Sequence, residues 1–299
     1  MANTKEYQPL KEKVMKTTKV WFVTGASKGL GLALVMQLLK SGYSVAATSR
    51  NASDLDKEIG SNPNFLSLGV DIVNEESVRT SIARTLKKFG TIDVVVNNAG
   101  YGQLGTLEET SDKEARENFD VNVFGTLNVI RSVMSHFREK KSGHIINISS
   151  IAGFLGGFPG WGLYNATKFA VAGLTEALAA EAKSHGVKAT IVYPGYFKTN
   201  FLKTGSLRLA KNPIADYKEA RELEVIHETQ IIGNQPGDPE RAAAAFMKLA
   251  ERENAPMHLF LGSDSFGMAN SKIESLQNDL RENEELSKST DFQKEEAVL

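Results

Sequence analysis

Tyr164 and Lys168 are the residues whose types and spacing most directly suggest proton-transfer chemistry in this sequence. They lie in a segment from Gly162 to His185 where apolar residues recur at helical spacing, and Gly186 follows it as a stop signal. Residues four positions apart share one helix face, so the two side chains are expected within reach of each other. A nearby cation favours the phenolate, so this pair is suited to exchange a proton with a substrate oxygen near neutral pH. The same spacing is common by chance on helix surfaces. The rest of the sequence therefore has to distinguish a proton-transfer pair from an ordinary surface pair.

The composition narrows the class of protein. The 299 residues include 41% hydrophobic and 24% charged residues, as soluble globular proteins do. The 35 basic and 36 acidic residues give a net charge of −1, so nucleic acid is not an expected partner. Cysteine is absent and the five histidines lie far apart, so disulfides and thiolate metal sites are excluded and no metal site is expected.

The sequence shows neither a signal peptide nor a membrane segment. Its first residues are polar and lysine-rich and lack the apolar core of a signal peptide. No apolar run approaches the roughly 20 residues that a membrane helix needs. We therefore expect a cytoplasmic protein without a membrane span.

A phosphate-binding turn is predicted near the start of the chain. The apolar run from Val20 to Thr24 is typical of a buried strand, and a glycine-rich turn and a helical segment follow it. The spacing is G-x-x-x-G-x-G rather than the commoner G-x-G-x-x-G. The first glycine would turn the chain, the second would admit a pyrophosphate and the third would let helix and strand pack closely. The residues of this turn that we expect to bind a dinucleotide are Gly25, Ser27, Lys28, Gly29, Leu30 and Gly31.

The end of the second predicted strand indicates which dinucleotide is bound. This strand, Tyr43 to Thr48, ends at Ser49 and Arg50, where sites for NAD usually have a carboxylate for the ribose hydroxyls. Arg50 and Lys28 would instead converge on a 2′-phosphate through charge-assisted hydrogen bonds. The pattern favours NADP(H) as the cofactor, and two solvated surface cations are the alternative.

Apolar strands alternate with amphipathic helices along most of the chain, which predicts a parallel sheet. We expect an α/β, Rossmann-like, doubly wound sheet of about seven strands with helices on both faces in a single domain. Ligands bind at the carboxyl ends of such strands, where Asp71 and Ile72 would clamp the adenine. The further strands are predicted at residues 64–70, 92–97, 144–148, 188–193 and 257–261.

The chain divides into a leader, a main domain and an extension. Residues 1–17 are expected to be a flexible leader, and residues 18–265 to form the dinucleotide-binding domain. Residues 200–235 show no clear period and are expected to form a substrate lid. Residues 266–299 are expected to be a partly helical extension, with an amphipathic helix at residues 271–280.

A glycine-rich segment with large apolar side chains, residues 151–163, is predicted to form one wall of an apolar substrate pocket. So many large apolar groups are hard to explain in a loop that only faces solvent. The candidate substrate residues, which include one after the turn at Pro194, are Phe154, Leu155, Phe158, Trp161 and Tyr196.

Together these motifs resemble those of the short-chain dehydrogenase/reductase superfamily over about residues 18–265. The chain looks like the single-domain, NADP(H)-using branch and is similar to members that act on lipophilic alcohols and ketones. The resemblance implies an oxidoreductase that interconverts a carbonyl and an alcohol by hydride transfer. The motifs that carry it are Thr24–Gly31, Asn97–Gly100, Asn122, Ser150, Tyr164 with Lys168, and Pro194–Gly195 with Thr199.

The resemblance implies a role for each catalytic position. Tyr164 would be the general acid in reduction and the general base in oxidation. Lys168 would lower the pKa of this phenol and bond the nicotinamide ribose. Ser150 would hydrogen-bond the substrate carbonyl, and Asn122, within a long predicted helix, would hold a water linked to Lys168. Thr199 would bond the nicotinamide carboxamide.

Further positions are expected at the cofactor by the same resemblance. Asn98 would keep the sheet and the cofactor site in shape. The remaining cofactor positions are Ser49, Ala99, Gly100, Pro194 and Gly195.

The serine departs from the family spacing. Ser150 precedes Tyr164 by fourteen positions, where thirteen is usual, and Ser149 precedes it by fifteen. The context Ser-Ile-Ala-Gly, ending at Gly153, favours Ser150, so the extra residue belongs to the apolar loop.

Two other functions stay open at this point. A non-catalytic dinucleotide sensor would have no need for the serine, tyrosine, lysine and asparagine set, and an isomerase or dehydratase would use the same fold for other chemistry. The resemblance also implies a homodimer or homotetramer and a small carbonyl or alcohol substrate.

Overall fold

The computed structural model describes residues 18–202 and 205–292, and the predicted leader, residues 1–17, lies outside the described residues. The strands, in chain order, are β1 (Val20–Val23), β2 (Ser44–Ser49), β3 (Phe65–Gly69), β4 (Val94–Asn97), β5 (Gly102–Leu104), β6 (Gly143–Ile148), β7 (Val187–Pro194), β8 (Leu207–Leu209) and β9 (His258–Leu261). The helices are α1 (Gly29–Lys40), α2 (Ala52–Ile59), α3 (Glu75–Phe89), α4 (Asp112–Phe119), α5 (Gly125–Lys140), α6 (Gly162–Ala182), α7 (Lys218–Ile226), α8 (Pro239–Glu251), α9 (Ser263–Glu282) and α10 (Glu284–Lys288).

The main sheet has seven parallel strands in the order β3-β2-β1-β4-β6-β7-β9. The predicted fold class is thereby confirmed as a Rossmann-like α/β single domain, and each predicted strand is present. The strand order reverses between β1 and β4, so the helices that follow these strands lie on opposite faces. This reversal opens a crevice at the carboxyl ends, where doubly wound sheets bind ligands.

Both faces of the sheet are buried, which explains the nearly unbroken apolar strands. In β1, Trp21 and Val23 pack on one side with α1, α2 and α8, whereas Phe22 packs on the other side with α3, α5 and α6. All three side chains have no exposed surface. The two layers hold the strands in register, and the register fixes where the residues after each strand lie.

The glycine turn between β1 and α1 is shaped by contact with the end of β4. Gly25 has a φ of +63°, and a Cβ on it would lie 2.6 Å from the Cα of Ala99. Asn98 donates from Nδ2 to the carbonyl oxygens of Thr24 at 3.0 Å and Gly25 at 2.9 Å. A Cβ on Gly31 would lie 2.6 Å from this amide nitrogen. The turn therefore requires glycine at both positions, and the predicted close packing at Gly31 is present.

Replacing Gly31 with alanine tests this packing. We expect Gly31→Ala to lower the free energy of unfolding by about 1–3 kcal/mol, because Asn98 has to move away from both carbonyls. Gly267 is the matched control, since it lies in α9 and an added Cβ meets nothing within 4 Å. Gly267→Ala should stabilise the protein by up to about 1 kcal/mol. Urea unfolding of both variants provides the comparison, and equal midpoints would contradict this account.

The segment predicted as a lid is joined to the body by a short β pair and a buried carboxylate. Strand β8 pairs in parallel with β5. The side chain of Glu109 is fully buried and accepts hydrogen bonds from the backbone N–H of Ile214 at 2.6 Å and of Thr106 at 2.7 Å. Arg221 of α7 donates to the same carboxylate at 2.9 Å. These contacts hold the segment over the carboxyl ends of the strands.

The C-terminal part is more helical than predicted. Helix α9 begins at Ser263, before the expected boundary at residue 266, and α10 continues to Lys288. The hydroxyl of Ser265 donates to the carbonyl of Tyr193 at 2.8 Å and fixes the start of α9 to β7. Within residues 18–202 and 205–292, we find no helix with the length and apolar character that a membrane crossing requires.

Candidate active site

A cavity of about 360 Å³ runs along the carboxyl ends of the central strands and beneath the segment of residues 200–235. Most residues predicted from the sequence line it together. Those for the cofactor are Gly25, Ser27, Lys28, Gly29, Leu30, Ser49, Arg50, Asp71, Ile72, Asn98, Ala99, Gly100, Pro194, Gly195 and Thr199. Those for catalysis and substrate are Ser150, Tyr164, Lys168, Phe158, Trp161 and Tyr196.

Two predicted substrate residues lie outside this cavity. The ring of Phe154 packs against Tyr193 at 5.8 Å and Phe260 at 5.1 Å, between α6 and the sheet. Leu155 is half-buried and also absent from the lining. The prediction that Phe154 forms a pocket wall is therefore wrong, because the chain turns at residues 151–153 and the ring packs against β9. Leu155 does not reach the cavity lining either. Phe158 and Trp161 form the wall instead.

The hydroxyl of Tyr164 is placed in the cavity by the first turn of α6. This helix forms from an alanine-rich, proline-free run, and only 5% of Tyr164 is exposed. Its ring packs edge-on against Trp161 at 5.4 Å. Burial raises the pKa of the phenol far above its ordinary value, and a hydrogen bond with Ser150 acts in the opposite direction. Tyr164 thus keeps its proton at neutral pH in the protein alone.

The ammonium of Lys168 lies next to this phenol but is tied to the sheet. Its Nζ donates to the carbonyl of Ile148 at 2.9 Å and lies 5.7 Å from the ring centre of Tyr164. Burial lowers the pKa of Lys168 to about 8. The expectation that the cation lowers the pKa of Tyr164 is not met in the protein alone, because removal of the phenol from water has the larger effect.

The structure distinguishes the two serines after β6. Ser149 is buried and donates from Oγ to the carbonyl of Lys168 at 2.8 Å, so it holds α6 against the sheet. Ser150 lines the cavity beside Tyr164, where it counteracts part of the rise in the pKa of the phenol, and its Oγ accepts a bond from the N–H of Ala152 at 3.1 Å. Both serines line the cavity, but the hydroxyl of Ser149 is used by the backbone of α6, so Ser150 stays the candidate for substrate contact that the sequence context favours.

Asn122 lies behind the cavity wall. The long helix expected around it is interrupted by a π-helical turn, Asp120–Phe124, between α4 and α5. The Oδ1 of Asn122 accepts from the N–H of Tyr101 at 3.0 Å, and Nδ2 donates to the carbonyl of Tyr101 and to Oγ1 of Thr167, both at 3.0 Å. A Cβ on Gly100 would lie 3.0 Å from this Oδ1 and 3.5 Å from Nζ of Lys168. Asn122 shapes the segment after β4, and the water-holding role stays a prediction.

The other end of the cavity has the charge that a dinucleotide phosphate needs. The first turn of α1 contains no acid, and no side chain caps it, so its backbone N–H groups are available to an anion. Nζ of Lys28 donates to the carbonyl of Gly205 at 3.1 Å. Burial and the positive charge of Arg50 both lower the pKa of Lys28, and both cations line this end of the cavity. These residues fit a dinucleotide with an additional phosphate.

Asp264 holds the turn after β7 and was missed by the sequence interpretation. Its Oδ2 accepts from the N–H of Tyr196 at 2.7 Å, and a side chain on Gly195 would overlap the carboxylate. Thr199 follows this turn and approaches Gly29, whose added Cβ would lie 3.7 Å away. The sequence shows an acidic residue in the first turn of α9, but it does not show that this residue contacts Tyr196, which is distant in the chain.

Other residues of the cavity come from the segment of residues 200–235. This segment was predicted from the sequence to cover the substrate, but none of its residues was predicted to contact it. The lining residues that it contributes include Phe201, Leu202, Ser206, Arg208, His227 and Gln235.

Comparisons with known proteins agree with this geometry. The family described as short chain dehydrogenase matches residues 19–208. A 3-ketodihydrosphingosine reductase from Bacteroides thetaiotaomicron is 35% identical over 246 residues, which cover 82% of this chain and 88% of that protein. Oxidoreductase calM from Penicillium decumbens is 34% identical and is matched over 95% of both chains.

Solved structures extend the comparison to the fold and the cofactor. A short-chain dehydrogenase from Streptomyces avermitilis is 36% identical, with a TM-score of 0.84 over 92% of this chain and all of that one. ElxO, whose structure contains NADP, is 30% identical, with a TM-score of 0.68 over 84% of this chain and 99% of that one. A family match over more than half of the chain, together with the Ser150, Tyr164 and Lys168 cluster, shows that this protein is an oxidoreductase of the short-chain dehydrogenase/reductase family.

Proposed function

We propose that the protein is an NADP(H)-dependent oxidoreductase that interconverts a hydrophobic carbonyl compound and its alcohol. The observation that carries this proposal is a single cavity with two different ends. At one end Tyr164 and Ser150 present hydroxyls beside buried Lys168, and at the other end Lys28 and Arg50 lie together near the amino end of α1. Proton transfer and binding of an additional phosphate are thereby available in one site.

Each residue of the site has its own role in the proposed reaction. NADPH, when bound, supplies the hydride. Ser150 and Tyr164 hydrogen-bond the carbonyl oxygen of the substrate, and Tyr164 donates its proton to the oxygen as negative charge develops there. Burial keeps the proton on this phenol until the oxygen becomes a stronger base. Lys168 contributes positive charge beside the phenol and holds the nicotinamide ribose.

The substrate end of the cavity favours a lipophilic ketone or aldehyde. Its walls include Phe158, Trp161, Phe201 and Leu202, and the ring of Phe201 lies 5.9 Å from that of Tyr164. Apolar walls next to few polar groups are typical of small-molecule sites. The related 3-ketodihydrosphingosine reductase carries a ketone in the name of its substrate, which supports this class.

We also place the enzyme in the cytoplasm as a homodimer or homotetramer. We infer association through the outer face of α6 from the family resemblance, and Phe169 on that helix is 44% exposed. The exposed ring lies on the side of α6 away from the cavity, so pairing there leaves the site open.

Cofactor preference tests the two cations. We expect a lower Michaelis constant for NADPH than for NADH, and Arg50→Gln should raise the NADPH value by roughly 10- to 100-fold because a charge-assisted bond is lost. The NADH value should change little. Arg79→Gln is the control, since Arg79 is an exposed residue paired with Glu76 away from the cavity. A wild-type preference for NADH would exclude the proposed cofactor.

Removal of the phenol hydroxyl tests the proton donor. Tyr164→Phe should lower turnover of a hydrophobic ketone by about 100-fold or more, the range attributed to a general acid. NADPH binding, measured by its fluorescence, should persist. Tyr43→Phe removes an exposed phenol bonded to Glu251 and should leave turnover unchanged. Near-normal turnover in Tyr164→Phe would refute the assignment.

The pKa of Lys168 predicts a pH dependence. Because burial lowers this pKa to about 8, the ammonium is present below pH 8 and is lost as the pH rises through it. The ratio kcat/KM for the cofactor reports groups of the free enzyme, so it should fall above about pH 8. The same fall is expected with NADH, because Lys28 and Arg50 serve only the additional phosphate. A profile that stays flat to pH 9 would contradict the role of Lys168 in cofactor binding.

A further inference from the structure

A polar pair, made of buried His227 and half-buried Tyr196, lies at the substrate end of the cavity and has no part in the proposed hydride transfer. The hydroxyl of Tyr196 lies 3.0 Å from Nε2 of His227, and both residues line the cavity. His227 begins the π-helical turn that follows α7, and only 3% of it is exposed. Each residue comes from a different segment, since Tyr196 follows β7, so the fold brings the pair together.

The surrounding hydrogen bonds show which residue is the donor in the hydrogen bond between Tyr196 and His227. Nδ1 of His227 lies 2.7 Å from the carbonyl oxygen of Leu223, which can only accept, so Nδ1 carries the proton. Burial lowers the pKa of His227, which leaves the ring neutral and Nε2 an acceptor. The hydroxyl of Tyr196 therefore donates to Nε2. Its oxygen retains the capacity to accept one further hydrogen bond from a ligand.

The pair lies across Trp161 from the reacting phenol. The ring of His227 is 5.4 Å from that of Trp161, and the ring of Trp161 is 5.4 Å from that of Tyr164. Trp161 therefore links the pair to the reacting phenol, and a substrate that reaches both needs an apolar part that spans this ring.

Among the residues that the structure describes, this end of the cavity offers no unpaired charge. Asp71, at the predicted adenine clamp, is the only carboxylate among the lining residues of the described chain. The guanidinium of Arg208 is paired with Glu117 at 3.1 Å and lies 4.2 Å above the ring of Tyr101. Neither an ammonium nor a carboxylate on the substrate would find an unpaired partner beside His227.

We infer that Tyr196 and His227 form a subsite for an uncharged hydroxyl group that the substrate carries on an apolar skeleton, remote from its carbonyl. This inference rests on the proposed function, because it describes the far end of the same substrate. The hydroxyl donates to the phenol oxygen of Tyr196, and His227 holds that phenol in position by accepting its hydrogen bond. The pair selects hydroxyketones over ketones of equal shape that lack the hydroxyl.

A matched series of ketones tests the subsite. The probes are 4-phenylcyclohexanone, 4-(4-hydroxyphenyl)cyclohexanone and 4-(4-oxocyclohexyl)benzoic acid, which place hydrogen, hydroxyl or carboxylate at the far end. We expect the full-length enzyme to prefer the hydroxyl compound over the phenyl compound by about three- to tenfold, the effect of one neutral hydrogen bond. Both kcat/KM with NADPH and the dissociation constant from calorimetry without turnover are measured.

Substitutions assign the preference to the pair. Tyr196→Phe and His227→Phe should each abolish the preference for the hydroxyl compound, and the double variant should lose no more than either single variant, since the residues act as a unit. His227→Gln retains an acceptor for the phenol and should restore part of the preference. His185→Asn, a substitution at the end of α6 outside the cavity lining, is the matched control and should keep the full preference.

The readouts separate failure of this inference from failure of the proposed function. Equal affinity for the phenyl and hydroxyl compounds, or a preference that survives Tyr196→Phe, overturns the subsite. Tighter binding of the carboxylate compound also overturns it, because Arg208 would then be the determinant. A calorimetric preference that depends on the pair, without NADPH consumption, supports the subsite while the proposed reaction fails.

Discussion

Tyr164 and Lys168 are held out of water where the first turns of α6 meet the carboxyl end of β6, and the remaining parts of the site are arranged around that burial. Removing ionisable groups from water is unfavourable unless the fold supplies partners. The carbonyl of Ile148 accepts from the ammonium, and Ser149 fixes the backbone of α6 to the sheet. The same burial raises the pKa of the phenol and lowers that of the ammonium, and it strengthens every charge interaction nearby.

The cofactor end depends on a different constraint, the close approach of the chain to itself. Asn98 bonds the carbonyls of the glycine turn, so the ends of β1 and β4 and the start of α1 form one rigid unit. Gly25 and Gly31 leave no space for side chains there. Across the cavity, Glu109 accepts two hydrogen bonds from the segment of residues 200–235, one from Ile214 and one from Arg221, and a third from Thr106 of the body. The site is therefore held from both sides.

Elements with long or regular patterns could be predicted, and short ones could not. The seven strands and α3 carry apolar runs or a helical period that local sequence reveals. The unpredicted elements are α2, β5, β8 and α10. Helix α2 has eight residues, α10 has five and the strands have three each, too few for a period. The π-helical turn at Asp120–Phe124 was also missed, since its sequence continues the pattern of the helices beside it.

The sequence by itself determined the family of fold, the glycine turn and the placement of Tyr164 and Lys168 on one helix face, because spacing along a strand or helix fixes these features. Only the tertiary structure decided which side chains reach the cavity. Phe154 turns toward β9 while His227 turns inward, and both outcomes depend on contacts between segments far apart in the chain. The direction in which the pKa of Tyr164 shifts was likewise decided by burial, which is a property of the packed molecule and not of residue spacing.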